Sequence, residues 1–255
     1  MIWAALAILL ISMLGSGQET FFLTPKLKKH VKTYVMEKDR QKEIFVIMKE
    51  SKKKQKDFMK TRKSYMKNYN QLTLDRNSTM KDHRTLIEEY YNMRQEVVDF
   101  SIDQEMAMKR ITTEKEWSNI MNAILEKPTK DKARDKMLKT VDKAFGNVIQ
   151  SCKDHISNPE NRNNAVSSVM QLKDKVDELI PRLADLGYEH MDAIRAYKAS
   201  KAEYEKISDT YHQMRKEIDD QFLEFRFELL EMTTEYEWNQ LMKDINKLLK
   251  KDMIS

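Results

Sequence analysis

The stretch YYNMRQEVVDFSIDQEMAMKRITTEKEWSNIMNAI, Tyr90–Ile124, recurs without a gap as YHQMRKEIDDQFLEFRFELLEMTTEYEWNQLMKDI, Tyr211–Ile245. The offset is 121 residues, with 12 identities in 35 positions. The identities cluster at Tyr90/Tyr211, Met93-Arg94/Met214-Arg215, Thr112-Thr113-Glu114/Thr233-Thr234-Glu235, Glu116-Trp117/Glu237-Trp238 and Met121/Met242. Duplication at this period means one supersecondary unit used twice, so residues kept in both copies are expected to hold the fold. In the second copy Tyr211, Met214, Ile218, Phe222, Phe225, Leu229, Met232 and Tyr236 alternate spacings of three and four, the apolar stripe of a helix. The first copy keeps the frame at Tyr90, Met93, Val97, Met108 and Ile111, diluted by Ser101 and Gln104.

Composition agrees with long helices. Of 255 residues only 4 are Gly and 4 Pro, and Gly15 and Gly17 stand near the N-terminus. Sheet-rich folds need Gly and Pro at many turns, whereas Met, Lys, Glu and Leu favour helix. The expected fold is all-α: an elongated bundle of long antiparallel helices built from two duplicated helical-hairpin units. The expected segments are residues 1–17, a first unit over 18–130 and a second over 131–255.

Turn signals place the connections. Leu72–Thr79 reads as a helix–helix connection, with Asn77, Ser78 or Thr79 available as a cap. Lys127-Pro128 closes the first unit, and Ser157-Asn158-Pro159-Glu160 opens the second copy's pattern. Pro181 and Gly187 mark either a kink or the hairpin turn of copy two. The expected helices therefore lie near 26–71, 79–126, 131–156, 160–186 and 188–251.

The doubled Thr-Thr-Glu-x-Glu-Trp element matches a capping box, Thr113 with Glu116 and Thr234 with Glu237. Two adjacent β-branched residues weaken helix locally, so a restart is expected there. Trp117 and Trp238 are expected to anchor it by packing. Thr112 and Thr233 complete the junction set.

Ile2–Leu14 is an uncharged run too short to span a bilayer and suits the core of a signal peptide. Lys26, Lys28, Lys29 and Lys32 follow it with no basic residue ahead, a flank that favours an anchor with the body in the cytoplasm. Export or tethering outside the cytoplasm is the primary expectation and the cytoplasm-facing anchor the alternative. One cysteine, Cys152, rules out an internal disulfide.

Residues 26–67 carry 16 Lys+Arg against 5 Asp+Glu, while the whole chain is only +5. A solvated basic face is the plain reading; contact with an anionic surface through Lys52, Lys53, Lys54, Lys56, Lys60, Arg62 and Lys63 is the functional one. Nucleic acid is disfavoured because no nucleic-acid-binding motif accompanies the charge.

A search for chemistry finds no set. No Glu-x-x-His pair serves a di-iron bundle, and Cys152-x-x-His155 has no second cluster for zinc. P-loop, G-x-G-x-x-G, G-x-S-x-G and H-E-x-x-H patterns are missing from the sequence. No catalytic, cofactor-binding or metal-ligating residue is assigned, and no cofactor is expected.

Ile111-Thr-Thr-Glu-Lys-Glu-Trp117 and Met232-Thr-Thr-Glu-Tyr-Glu-Trp238 resemble the LTxxQ motif that Spy/CpxP-like periplasmic proteins carry twice. The resemblance covers about seven residues per copy, with Ile or Met in place of Leu and no Gln at the expected place. It implies an exported, all-helical, ATP-independent chaperone or stress sensor. The residues themselves point to a non-catalytic scaffold or binding protein of the cell envelope, with a protein partner or a second copy of the chain as its expected companion.

Overall fold

The computed structural model describes residues 25–125 and 130–252. The chain is an all-α bundle of eight helices among the described residues: α1 Pro25–Tyr34, α2 Lys38–Leu74, α3 Met80–Ile111, α4 Glu114–Ile124, α5 Lys130–His155, α6 Pro159–Arg195, α7 Lys201–Glu231 and α8 Glu235–Asp252. Residues 1–17, on which the leader reading falls, and Pro128 lie outside the described residues. No described helix is long and apolar enough to cross a membrane.

The 121-residue offset governs the helix boundaries as well as the identities. The 37 residues of α2 map onto the 37 of α6, and α3 and α4 start 121 residues before α7 and α8. The caps repeat too. Thr79 and Ser200 each accept a backbone N–H three residues on and receive the carboxylate of Asp82 or Glu203 in return. Each such box contributes about 1 kcal/mol.

Three expectations are corrected. The segment near 26–71 is two helices, broken at residues 35–37, where buried Val35 turns inward and Gln41 Nε2 donates to its carbonyl at 2.6 Å. Asn158-Pro159 announces the matching break in copy two, whereas no turn residue announces it in copy one. Pro181 and Gly187 do not form the hairpin turn: both sit inside continuous α6, and the turn is residues 196–200. Gly187 serves packing instead, since a Cβ there would stand 3.3 Å from the Tyr211 hydroxyl. Finally, Tyr236 leaves the apolar stripe; it lies past the restart and is 73% exposed.

Within each unit the first helix packs on the last one, α1 on α4 and α5 on α8. The units meet chiefly along α3 and α7, which run antiparallel. Tyr91 and His212, equivalent positions, have ring centroids 4.6 Å apart at the middle of this contact. Lys201 reaches Asp103 at 2.7 Å toward one end and Arg84 reaches Asp220 at 3.8 Å toward the other. Equivalent residues meeting at the centre give the pair an approximate twofold relation. The cores interpenetrate accordingly. Tyr69, Ile87 and Tyr91 join the core of the second unit, and Ile194 and Tyr204 join that of the first.

Candidate functional site

Both junctions stop and restart the helix. Thr113 Oγ1 accepts from Glu116 N at 3.3 Å, and Glu116 Oε2 accepts from Thr113 N at 2.8 Å. Thr234 and Glu237 repeat the pair at 3.3 and 2.9 Å. Thr112 and Thr233 are buried and turn their hydroxyls back to the carbonyls of Met108 and Leu229. Backbone N–H donors from Thr234 and Ser157 hold the Glu237 carboxyl down to about 2. At the first junction the third partner is a cation: Arg40 grips Glu116 at 2.7 and 2.9 Å and donates to Ile111 O at 3.0 Å. Burial opposes ionisation of Glu116, yet the Arg40 and Thr113 donors keep it below its ordinary range.

Each tryptophan is fully buried and spends its indole N–H on the other unit. Trp117 Nε1 donates to Ile194 O at 2.9 Å, at the end of α6; Trp238 Nε1 donates to Leu74 O at 3.2 Å, at the end of α2. A cation lies 5.3 Å from each ring, Lys109 over Trp117 and Arg226 over Trp238. The α2–α3 turn and the α6–α7 turn then clasp the opposite junction. Arg76 donates to Thr233 O at 2.5 Å and Leu230 O at 2.9 Å, and its equivalent Tyr197 donates to Thr112 O at 2.7 Å.

Beneath these clasps lie two buried polar clusters. In one, Lys109 Nζ donates to Ala196 O at 2.7 Å and the Tyr204 hydroxyl at 2.9 Å, and stands 3.3 Å from Glu105. Tyr204 in turn bonds Glu105. Burial pushes the Glu105 carboxyl up to about 7 and lowers the Lys109 ammonium. His190, edge-on to Tyr204, is held down to about 4 by burial. In the other cluster Arg226 donates to Asp75 O and Ser78 Oγ, both at 2.7 Å, and Ser78 contacts His83 Nε2 at 3.0 Å. Burial and then Arg226 bring His83 down to about 4; burial lowers Arg226 to about 10. His83 and Tyr204 thus occupy equivalent places in equivalent clusters, although their difference in type hid this from an identity count.

The groups of both clusters bond one another and the carbonyls at helix ends. Lys109 borders a cleft of about 470 Å³ with Asp103, Met106, Arg110, Tyr197, Ala199 and Lys201, but its donors are taken by backbone, phenol and carboxylate. Burial raises the Cys152 thiol to about 12, which leaves it without thiolate character at neutral pH. Among the described residues no three His, Cys, Asp or Glu side chains gather as a metal site.

The basic segment gives a different geometry. Lys49, Lys52, Lys53, Lys56, Lys60, Lys63 and Lys67 are all exposed on α2. At 100° per residue they occupy a sector about 100° wide, opposite buried Phe58, and the row is about 27 Å long. Among the described residues only Lys60 of the seven is ion-paired, at 4.0 Å from Asp57. Two residues of the expected set stand apart: Lys54 turns to Glu96 at 3.8 Å, and Arg62 is half-buried on the flank. Lys49 and Lys67 complete the row, a membership that plotting lysines on a helical wheel reveals.

No protein-family model, no curated protein and no solved structure matches this chain.

Proposed function

We propose that this chain is a non-catalytic helical scaffold or binding protein of the cell envelope, acting through its long helical surfaces. The observation that carries the reading is a division of labour among charged groups. Glu105, Lys109 and Arg226 are buried and committed to holding helix ends, while the lysine row of α2 is exposed and almost unpaired. A group that must do proton or group transfer needs a free donor or acceptor at the substrate, and Lys109, the member of the set that borders a cleft, has its donors taken. The envelope assignment rests on the uncharged Ile2–Leu14 run. Fractionating cells and sequencing the mature N-terminus tests it. Cleavage near Gln18 supports export, and an intact Met1 on a body shielded from external protease overturns it in favour of a cytoplasm-facing anchor.

A second reading, an ATP-independent chaperone like the Spy/CpxP-type proteins, rests on the junction resemblance at Thr112–Trp117 and Thr233–Trp238. It demands that substoichiometric protein suppress aggregation of an unfolded client; no suppression at equimolar amounts removes it. An anionic membrane surface is the alternative occupant of the lysine row and demands binding that scales with anionic lipid content.

A further inference from the structure

The two long helices α2 and α6 are equivalent, yet among the described residues only α6 has a second helix packed along this strip. In the second unit Val141 and Phe145 of α5 join a core with Leu172, Val176, Leu179, Ile180 and Leu183 of α6, all 5% exposed or less. The matching positions on α2 are Ser51, Gln55, Phe58, Met59 and Arg62. Among the described residues α1 is Pro25–Tyr34, which matches the last ten residues of α5. Where Ile180 is 0% exposed, Met59 is 48% exposed, and Met48 and Met66 are half-buried on the same flank of α2. Lys52, Lys56 and Lys63 border that flank on its solvent side.

We infer that this strip of α2 is a docking groove for an amphipathic helix of a partner protein that carries carboxylates along one edge. The inference rests on the binding-protein reading above and names the partner's chemistry. The internal precedent is α5, a helix seated on the equivalent strip of α6. On α2 the apolar floor is thinned to methionines, whose flexible side chains accept varied apolar faces. The added lysines then require acidic complement from the occupant. Residues 1–24 contain a single carboxylate side chain, Glu19, and do not supply it. A planar membrane would touch the crest of the row at Lys49, Lys53, Lys60 and Lys67, leaving the methionine flank about 110° round the helix untouched. A rod lying in the flank engages both.

The test uses the full chain and a labelled synthetic 18-residue helical peptide with Leu on one face and Glu along one adjoining edge. Controls are a peptide of the same composition with the pattern scrambled, and vesicles of phosphatidylcholine with and without phosphatidylglycerol. Fluorescence anisotropy is expected to show the patterned peptide binding at least about tenfold more tightly than the scrambled one, with affinity falling as salt rises. The variant K52E/K56E/K63E should lose about tenfold or more, and Met59→Gln several-fold, with helicity unchanged because all four side chains are exposed. Equal binding of the two peptides to the unaltered chain overturns the groove and leaves only charge attraction. Vesicle binding that depends on phosphatidylglycerol, without peptide binding, assigns the row to a membrane instead. Self-association abolished by K52E/K56E/K63E, again without peptide binding, assigns it to a second copy. A chain found in the cytoplasm that still binds the patterned peptide keeps the groove and discards the envelope assignment.

Discussion

The two halves of this molecule start their long helices at matching positions and carry different surfaces. In the second unit α6 is sealed by α5 over an apolar strip; in the first, α2 carries Ser51, Gln55, Met59 and Arg62 at the matching places and a row of seven exposed lysines. The junctions, in contrast, keep the same capping box and buried tryptophan in both. The two copies agree most at the junctions and differ most on the backs of the long helices. Equivalent positions can also keep a task while changing chemistry. Arg76 and Tyr197 each hold the opposite junction's carbonyl; Lys109 and Arg226, which are not equivalent positions, each hold the opposite turn.

The strongest way to break this comparison is to remove its anchors. Trp117→Ala and Trp238→Ala should each cost about 3–5 kcal/mol, read as a lowered urea midpoint. Amide exchange should quicken at the far helix end, near Ile194 for the first and near Leu74 for the second. Loosening confined to the mutated unit would mean the clasp is not reciprocal. Next, Lys109→Met and Arg226→Met should each cost about 2–4 kcal/mol by stranding buried polar groups, the first more because Glu105 loses its cation.

The clusters should also part by pH, with effects on the order of 2 kcal/mol. Glu105 has its carboxyl raised from 4.5 to about 7, so the folded state binds the proton more tightly and stability falls as pH rises through that window. His83 is depressed from 6.5 to about 4, so the unfolded state binds the proton more tightly and stability falls as pH drops through that window. Urea midpoints of Glu105→Gln should therefore lose the decline above pH 4.5, while those of His83→Asn should lose part of the decline below 6.5. Smallest of all, Thr113→Ala and Thr234→Ala should cost about 1 kcal/mol each by removing a cap. Unequal costs would trace to Arg40, which braces the first junction alone.

Local features were legible in the residues. Helical class followed from the stripe at Tyr211–Leu229 and the scarcity of Gly and Pro, and the restarts from Thr-Thr-Glu-x-Glu, because caps involve neighbours within three residues. The clasps were not legible, because each joins residues 77 or more apart and the equivalent partners differ in type. Nothing in the apolar spacing marks Glu105 and Arg226, yet both are almost wholly buried. The break at residues 35–37 carried no turn residue and was visible only through its counterpart at Asn158-Pro159. Pro181 left a kink or the hairpin turn open, and the turn lies at residues 196–200 instead, with Pro181 inside α6.

The reciprocal tryptophan bonds also set an order of assembly during synthesis. A ribosome that has just released α4 has delivered Trp117 without Ile194, the carbonyl it bonds, so the first unit must wait for some seventy more residues. Trp238 then closes a contact spanning 164 residues, back to the end of α2. Long-range closure of this kind slows folding and leaves apolar surface uncovered in the interval. Nascent chains stalled after α4 should be cut readily by protease around Trp117, and chains stalled after α8 should resist.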